Sequence, residues 1–411
     1  MAELLFKNFA LLDAHAGCLM SGRQVLVRDG TIVAVEQGAV SAPHAEVIDL
    51  GGRTLMPGLI DCHVHVTARG GLEAYARMLP SLITAHAADI MRGMLMRGFT
   101  TVRDAAGADA GHREAVEHGI LPGPRLFVAG RAVSQTGGHG DGRSQADQVD
   151  VCACAHLVAG IGRIADGVSA VRRAVRDELR LGADQIKVMA GGGVGSVADP
   201  IDMLQYSMDE LRAVVDEARR AHTYVMAHVY TDAGIRRAIE AGVRTIEHGN
   251  FLAEDTAKAM ARAGAYLVPT LITYQVAETH GRQQGRSEEA LAKSRYVLGV
   301  GTRSLEIAKR AGVKMAYGTD LFFGPHTYQP RELMVRAEVL GAAEALRSAT
   351  VLAAEVLRMD GKLGVVAPGA IADLLVVDGD PLRDLGVLQD EGQHMPVIMK
   401  DGKFVKRALA N

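Results

Sequence analysis

Apolar and polar residues alternate near both ends of the chain, a pattern typical of β-strands with one buried face. The stretch QVLVRDGTIVAVE consists of two alternating runs on either side of Asp29 and Gly30, a pair that favours a two-residue hairpin turn. The C-terminal part has a strand in ADLLVVDGDP and a second Asp-Gly hairpin in VIMKDGKFVKR. Because neither end can bury a core alone, we predict that residues 1–57 and 364–411 form one small β-sandwich.

Between these ends, short and almost continuously apolar runs alternate with longer amphipathic segments. The apolar runs span residues 59–66, 100–104, 125–130, 184–190, 224–230, 244–249, 266–271 and 313–320. Apolar strands separated by helices indicate a parallel sheet with helices on its outer face. Eight such repeats predict an α/β fold, a (β/α)₈ TIM barrel over residues 58–363.

Two of the amphipathic segments carry clear helical signals. In SAVRRAVRDELRLGA, Val171, Val175 and Leu179 share one stripe, with arginines elsewhere. The segment SMDELRAVVDEARRAH opens with Ser207 and Glu210 at the spacing of a capping box. We therefore predict helices at both places.

The composition narrows the class of protein. The 411 residues are 48% hydrophobic with a formal net charge of -3, and the charges form no basic stripe, so we expect no nucleic-acid partner. No apolar stretch is long enough to span a membrane, and the first residues lack the features of a signal peptide, so we expect a cytoplasmic protein. A secretory segment removed beforehand stays possible. The four cysteines (Cys18, Cys62, Cys152 and Cys154) are expected to be structural and not a disulfide framework.

Residues suited to metal binding recur where the predicted strands end. His63 and His65 lie two positions apart in LIDCHVHV, so in a strand their imidazoles point to the same face. That pair alone is weak evidence for a metal site. Later strands add further candidates, which are Lys187, His228, His248 and Asp320. In a TIM barrel the carboxyl ends of the strands meet at the active site, so we predict that these side chains converge.

This set of residues resembles the amidohydrolase superfamily over essentially the whole chain, and PGLIDCHVH is similar to the motif of its first strand. The resemblance implies a binuclear metal centre. His63, His65 and Asp320 would hold one ion, and His228 and His248 the other. Lys187, carboxylated by carbon dioxide, would bridge both ions as a carbamate. A carbamate agrees with the cost of burying a free lysine cation in an apolar strand. A snorkelling or salt-bridged lysine is the alternative.

The resemblance also implies a mechanism in which a water bridging two metals supplies hydroxide near neutral pH. Asp320 would take the proton and pass it to the leaving nitrogen. We therefore expect Asp320, Lys187 and His248 to be the catalytic residues. Nitrogen and oxygen ligands without thiolate suit two zinc ions best, with manganese, cobalt and iron left open.

Two further motifs, SQTGGHGD and HVYT, resemble the branch of Xaa-Pro dipeptidase-like and dipeptide carboxypeptidase-like enzymes, which includes ochratoxin-hydrolysing amidohydrolases. The resemblance implies that His139 and Tyr230 bind the α-carboxylate of a substrate. Both residue types are sound donors to a carboxylate. Alternatively, His139 braces a glycine-rich loop and Tyr230 only packs.

The segment LFFGPHTYQP, after the eighth predicted strand, concentrates aromatic residues that are scarce elsewhere, since the chain has eight phenylalanines, nine tyrosines and no tryptophan. Its aromatic residues are expected to form a wall for an apolar part of the substrate, and these are Phe322, Phe323 and Tyr328. His326 of the same segment is a further candidate for substrate binding. An anchoring role for this loop is the alternative. The long segments 131–166 and 272–300 would form lids or subunit contacts, and homo-oligomers are expected because such relatives often form them.

The sequence therefore predicts a hydrolase that cleaves the amide bond of a C-terminal amino acid. Its small-molecule substrate would be a dipeptide, an N-acyl amino acid or an ochratoxin A-like amide, and the released residue would be apolar, such as phenylalanine. A cyclic-amide hydrolase resembling imidazolonepropionase, or a deaminase, is the alternative. Deaminases of this superfamily typically carry a glutamate where this chain has Thr231. A non-enzymatic barrel is the remaining alternative, which the complete ligand set disfavours.

Overall fold

The computed structural model describes residues 3–69, 75, 78–143, 161–195, 199–322 and 324–409. Phe323, Cys152 and Cys154, named above, lie outside the described residues. The strands are β1 Glu3–Lys7, β2 Ala10–Asp13, β3 Cys18–Met20, β4 Arg23–Arg28, β5 Thr31–Gln37, β6 Glu46–Asp49, β7 Thr54–Pro57, β8 Leu59–Val64, β9 Phe99–Asp104, β10 Arg125–Val128, β11 Ala132–Ser134, β12 Gly162–Ile164, β13 Ile186–Met189, β14 Val225–Thr231, β15 Thr245–Phe251, β16 Tyr266–Val268, β17 Leu374–Val377, β18 Val397–Lys400 and β19 Lys403–Arg407. The α-helices are α1 Pro80–Met96, α2 Ala110–Glu117, α3 Val168–Arg180, α4 Met208–Arg220, α5 Asp232–Ala241, α6 Glu254–Ala263, α7 Ile272–His280, α8 Glu288–Ala311, α9 Arg331–Leu340, α10 Ala342–Ser348 and α11 Val351–Val356.

Strands from the two chain ends pair with each other. One sheet has the order β5-β4-β1-β6, and a second has the order β19-β18-β17-β7-β2-β3. In the second sheet, β17 from the C-terminal part runs antiparallel to β7 from the N-terminal part. Side chains of both sheets, such as Phe6 on β1 and Val376 on β17, belong to one buried cluster. The chain ends therefore share a hydrophobic core.

Both predicted Asp-Gly hairpins are present. β4 and β5 pair antiparallel across Asp29 and Gly30, whose φ angles are 48° and 80°. β18 and β19 pair in the same way across Asp401 and Gly402, with φ angles of 51° and 70°. Positive φ at both central residues matches the twist of adjacent strands, which explains why this pair of residues occurs at both turns.

The middle of the chain forms parallel sheets, as predicted. One has the order β10-β9-β8, and the other has the order β12-β11-β13-β14-β15-β16. Every pairing within them is parallel. Only residues 129–131 separate β10 of the first sheet from β11 of the second. The carboxyl ends of these strands carry the candidate site residues.

The predicted eighth strand, residues 313–320, is not a regular strand. Its only ladder contact in the described chain is a parallel bridge between Met315 and Leu267. On its other side, the Cys62 amide donates to the Tyr317 carbonyl at 2.8 Å. The segment packs closely against its neighbours, since a Cβ at Gly318 would lie 2.9 Å from the His63 Cβ. The φ angle of Asp320 is 50°, so the chain leaves the extended conformation at the end of the segment.

The two predicted helices are confirmed as α3 and α4. Val171 and Val175 of α3 are fully buried, as the stripe requires. At the start of α4, the Ser207 hydroxyl accepts from the Glu210 amide and the Glu210 carboxylate accepts from the Ser207 amide, which completes the capping box. Residues 272–300 consist largely of α7 and the first half of α8. Among the helices of the described residues, none combines the length and apolar character needed to cross a membrane.

Candidate metal centre

Two histidines and an aspartate meet where β8 ends. His63 is in the buried strand and His65 directly follows it, and both Nε2 atoms approach one carboxylate oxygen of Asp320, at 3.6 and 3.2 Å. One ligand atom of each residue lies within 4.8 Å of the others. Two imidazole nitrogens and one carboxylate oxygen are a ligand set that suits zinc. The strand-end histidines therefore converge with Asp320, as predicted.

The backbone and the charges of this group hold Asp320 in place. Its amide donates to the His63 carbonyl at 2.8 Å. Burial raises the pKa of Asp320, but interactions with the neighbouring imidazoles of His63 and His65 outweigh it and keep the pKa below its ordinary value. Asp320 is thus a carboxylate at neutral pH, the form that binds a cation or accepts a proton.

Each of these histidines has its other ring nitrogen engaged. His63 Nδ1 lies 2.7 Å from Glu247 Oε2, and His65 Nδ1 lies 2.8 Å from the Ala106 carbonyl oxygen. Both acceptors require a proton on Nδ1, so the neutral form of each ring carries its lone pair on Nε2, the nitrogen that a metal ion would bind. This fixes both rings in the orientation needed for metal binding.

A second pair of histidines lies beside the first group. His228 of β14 and His248 of β15 approach to 2.9 Å between Nδ1 and Nε2, and the rings of His63 and His248 have centroids 5.1 Å apart. His248 Nδ1 also lies 2.7 Å from Thr270 Oγ1. Burial lowers the pKa of His248 to about 3 and that of His228 well below its ordinary value. Both rings are therefore neutral and able to act as ligands.

Lys187 is buried on β13 next to these groups. The β13–β14 register places Lys187 opposite Met226, two residues before His228. Burial lowers the pKa of Lys187 to about 8, although the carboxylates of Glu247 and Asp320 oppose the shift. No carboxylate in the described part of the chain lies within ion-pair distance of its ammonium, so a salt bridge does not account for this buried lysine.

A buried ion pair that no sequence motif indicated contacts the candidate metal centre through His63. Arg103 of β9 and Glu247 of β15 are both fully buried, and Arg103 Nη2 donates to both Glu247 oxygens at 2.9 and 3.1 Å. Glu247 also accepts from Thr245 Oγ1 at 2.6 Å. Strand alternation would separate Glu247 from His248, but the φ angle of 72° at His248 breaks the alternation. The charged Arg103 inside the apolar run TTVRD was the sequence feature that could have indicated this ion pair.

We expect Glu247→Gln to weaken both the fold and the metal site. The substitution leaves the Arg103 charge buried without a matching anion, which should cost about 3–5 kcal/mol of unfolding free energy. Loss of the His63 partner should lower metal affinity about 10- to 100-fold. Urea unfolding and metal titration measure the two effects. Glu117→Gln, at an exposed surface pair with Arg113, is the control, and equal stability of the two variants would contradict the role given to Glu247.

The two predicted carboxylate-binding residues border the second histidine pair. The His139 ring stacks on His228 with centroids 4.2 Å apart, and the Tyr230 ring stacks on His248 at 4.9 Å. His139 Nδ1 lies 2.9 Å from Asp199 Oδ2. The Tyr274 hydroxyl donates to the Tyr230 hydroxyl at 3.0 Å. Asp199 and Tyr274, which no motif indicated, thus orient the two side chains.

The described side chains of the aromatic segment LFFGPHTYQP lie in different places. Phe322 is buried with its ring edge-on to His65, at a centroid distance of 5.0 Å. Tyr328 instead contacts α7, where its hydroxyl lies 3.0 Å from His280 Nε2. His326 Nε2 lies 3.2 Å from the Ala68 carbonyl oxygen and lines a separate groove of about 820 Å³. Phe322 is therefore the described member of this loop that reaches the metal-binding group.

Thr231, at the position where a deaminase would carry glutamate, caps a helix. Its hydroxyl accepts from the Gly234 amide at the start of α5. Its side chain is thus engaged in local structure and does not supply the carboxylate expected of a deaminase at this position.

Known proteins resemble this chain over most of its length. The sequence profile of the Amidohydrolase family matches residues 54–405. The ochratoxinase of Aspergillus niger is 34% identical over 375 residues, which cover 86% of this chain and 75% of that protein.

Two solved structures extend the likeness to the whole fold. The crystal structure of a prolidase complexed with N-methylphosphonate-L-proline is 49% identical with a TM-score of 0.96, covering 99% of this chain and 100% of that one. A Xaa-Pro dipeptidase crystallised with methionine in its active site is 31% identical with a TM-score of 0.89, covering 98% and 100%. Because the family profile spans most of the sequence, the chain belongs to the amidohydrolase family.

Proposed function

We propose that this protein is a metal-dependent hydrolase of amide bonds that releases the C-terminal amino acid of its substrate. The substrate would be a dipeptide, an N-acyl amino acid or an ochratoxin A-like amide. The observation that carries the proposal is the convergence of His63, His65 and Asp320 beside a second pair of buried histidines. The likeness to an ochratoxinase and to prolidases supports an amide bond as the target.

The donor set fits two divalent cations, most simply zinc. His63, His65 and Asp320 would hold one ion, and the paired histidines of β14 and β15 the other. The 2.9 Å between their nitrogens is near the ~3.3 Å expected for two ligands of a tetrahedral zinc ion. Lys187, buried and without an ion pair in the described chain, would join the two as a carbamate. Bound divalent cations supply Lewis acidity, which polarises the amide carbonyl and lowers the pKa of water.

The protein's own groups would then manage the proton and the substrate. The Asp320 carboxylate accepts a proton from the attacking water and delivers it to the leaving nitrogen. The Asp320 amide donates to the His63 carbonyl at 2.8 Å, which keeps the carboxylate oriented through both steps. The buried Phe322 ring beside His65 provides an apolar surface for the side chain of the released residue.

Tyr230 and His139 would bind the free α-carboxylate of that residue. Because Tyr274 donates to the Tyr230 oxygen, the proton of Tyr230 is available for an acceptor in the cavity. Asp199 occupies His139 Nδ1, so Nε2 is left for the substrate. The charge of Arg286 acts on both Tyr230 and Asp320 and adds a cation to this side of the site.

We expect the enzyme to hydrolyse a substrate with a free carboxylate faster than the same substrate with an amidated one. Losing a charge-assisted contact costs about 2–3 kcal/mol, which corresponds to roughly 30- to 150-fold in kcat/KM. Matched pairs such as an N-acyl phenylalanine and its amide measure this ratio. In the double variant Tyr230→Phe, His139→Ala the ratio should approach one. Equal rates in the unaltered enzyme would mean that no carboxylate is bound, and a cyclic-amide hydrolase would then be the better interpretation.

We also propose that the sheets complete the architecture predicted from the sequence. Segment 313–320 would close an eight-stranded barrel, since its backbone hydrogen-bonds to Leu267 on one side and to Cys62 on the other. The two terminal sheets would stack as a sandwich around their common core. The domains would then be residues 1–57 with 364–411, and residues 58–363.

A further inference from the structure

Three arginines surround a small cavity at the opposite ends of the strands from the candidate metal centre. The cavity has a volume of about 310 Å³ and lies where β14, β15 and β16 begin. Arg219 of α4, Arg244 and Arg358 line it together with Tyr224. We call it the basic cavity. Its described lining includes no aspartate or glutamate.

Two of the three guanidinium groups have contacts that hold them in place without neutralising them. The Cζ atoms of Arg244 and Arg358 lie 5.6 and 5.3 Å from the centre of the Tyr224 ring. Arg244 donates to the Glu355 backbone carbonyl at 2.8 Å, and Arg358 donates to the His222 carbonyl at 2.7 Å. These partners are neutral. Across the described residues, no carboxylate comes within 4.0 Å of any of the three guanidinium groups.

The partial negative charges of nearby helix C-termini offset only part of this positive charge. The C-termini of α4, α5 and α6 are close by, because Arg219, Gly242 and Gly264 all line the cavity. Each helix C-terminus carries about half a negative charge, so the three together offset about half of the positive charge. One polar atom also lacks a partner, since Arg244 Nε is buried without a hydrogen bond. The cavity therefore retains an unbalanced positive charge.

We propose that the basic cavity binds a phosphate group, either as inorganic phosphate or as the phosphate of a small monoester. A phosphate carries about 1.5 to 2 negative charges near pH 7, which matches the charge left over. Guanidinium groups present paired donors that match phosphate oxygens. The volume is at the lower end of the range of about 300–1,000 Å³ for ligand pockets, which suits a small anion. The site lies away from the candidate catalytic groups, so its effect is on stability.

Thermal unfolding of the metal-loaded protein, titrated with sodium phosphate at constant ionic strength, tests the proposal. We expect a saturable rise of the unfolding midpoint of about 2 °C once phosphate exceeds its dissociation constant about tenfold. The double variant Arg219→Gln, Arg358→Gln should lose this rise, and both residues are exposed, so the fold should tolerate the change. Arg220→Gln removes the same charge from the same helix end outside the cavity and should keep the rise.

Two further arms separate the possible sources of the signal. Phosphate bound at the candidate metal centre would inhibit hydrolysis. In that case the inhibition and the rise of the unfolding midpoint would both persist in the double variant. Glycerol phosphate and inorganic phosphate are compared by calorimetry, and the tighter of the two identifies the form that the cavity prefers. A rise of the same size in the unaltered protein and the double variant, or a rise that sodium chloride reproduces, would overturn the proposal.

Discussion

Lys187→Ala is expected to remove most of the bound metal and to lower kcat about 10³-fold. The reason is that the proposed carbamate would supply one ligand to each ion, and both would be lost together. The Lewis acidity of bound metal is worth several kcal/mol, and each 1.36 kcal/mol equals tenfold in rate. Metal content per chain, measured by elemental analysis, and steady-state kinetics report the two effects. Short carboxylic acids added to the variant should partly restore both, since they can occupy the space of the carbamate.

Two controls separate loss of a ligand from loss of packing. Lys187→Met keeps most of the buried volume but supplies no oxygen ligand, so it should be as inactive as the alanine variant. Lys258→Ala removes an exposed lysine of α6 and should leave the metal content unchanged. A labelled carbamate carbon, introduced with ¹³C-bicarbonate, should give a resonance in the unaltered protein that Lys187→Met lacks. Full activity with two metals retained in Lys187→Ala would refute the bridging role.

Asp320→Asn is expected to lower kcat by about 10² or more. The amide keeps the shape of the side chain and one oxygen that can contact metal, but it cannot accept a proton. Metal content must therefore be measured beside kcat, because a fall in kcat at unchanged metal content isolates the proton transfer. Asp255→Asn, an exposed position in the first turn of α6, should behave like the unaltered enzyme.

An unchanged kcat in Asp320→Asn would require another base, and the structure limits the choice. Glu247 is occupied by His63, Arg103 and Thr245, so its oxygens have little capacity left for a proton from substrate or water. Burial lowers the pKa of His326 to about 4, and its Nε2 points at the Ala68 carbonyl. Neither residue is placed as Asp320 is, next to both His63 and His65.

Features that depend on residues close together in the chain were predictable from the sequence. The Asp-Gly hairpins, the capping box of α4 and the buried stripe of α3 were all predicted and are all present. The parallel pairing of the central strands was also predicted, because apolar strands alternating with amphipathic helices have few other arrangements. The strand-end histidines and Asp320 were nominated for the same reason, since parallel strands bring their carboxyl ends together.

Contacts between distant residues were decided by the tertiary structure. The Arg103–Glu247 pair joins residues 144 positions apart, and the Tyr274–Tyr230 hydrogen bond joins residues 44 apart. No local periodicity records which side chains meet across such separations. The irregular segment 313–320 is a similar case, because its conformation follows from the close approach of His63 and Val268 to Gly318 and not from its apolar pattern.

The sequence by itself therefore determined most of the elements, the direction of the central strands and the residues suited to bind metal. Only the tertiary structure decided which ring nitrogens face Asp320. It also decided that the left-handed backbone at His248 and Asp320 brings neighbouring side chains to one centre, and that three arginines meet at the other end of the sheet. The physical reason is the distance along the chain over which each kind of interaction acts. Turn, cap and stripe preferences act over a few residues, whereas the orientation of a side chain at a site is set by packing and hydrogen bonds from every element around it.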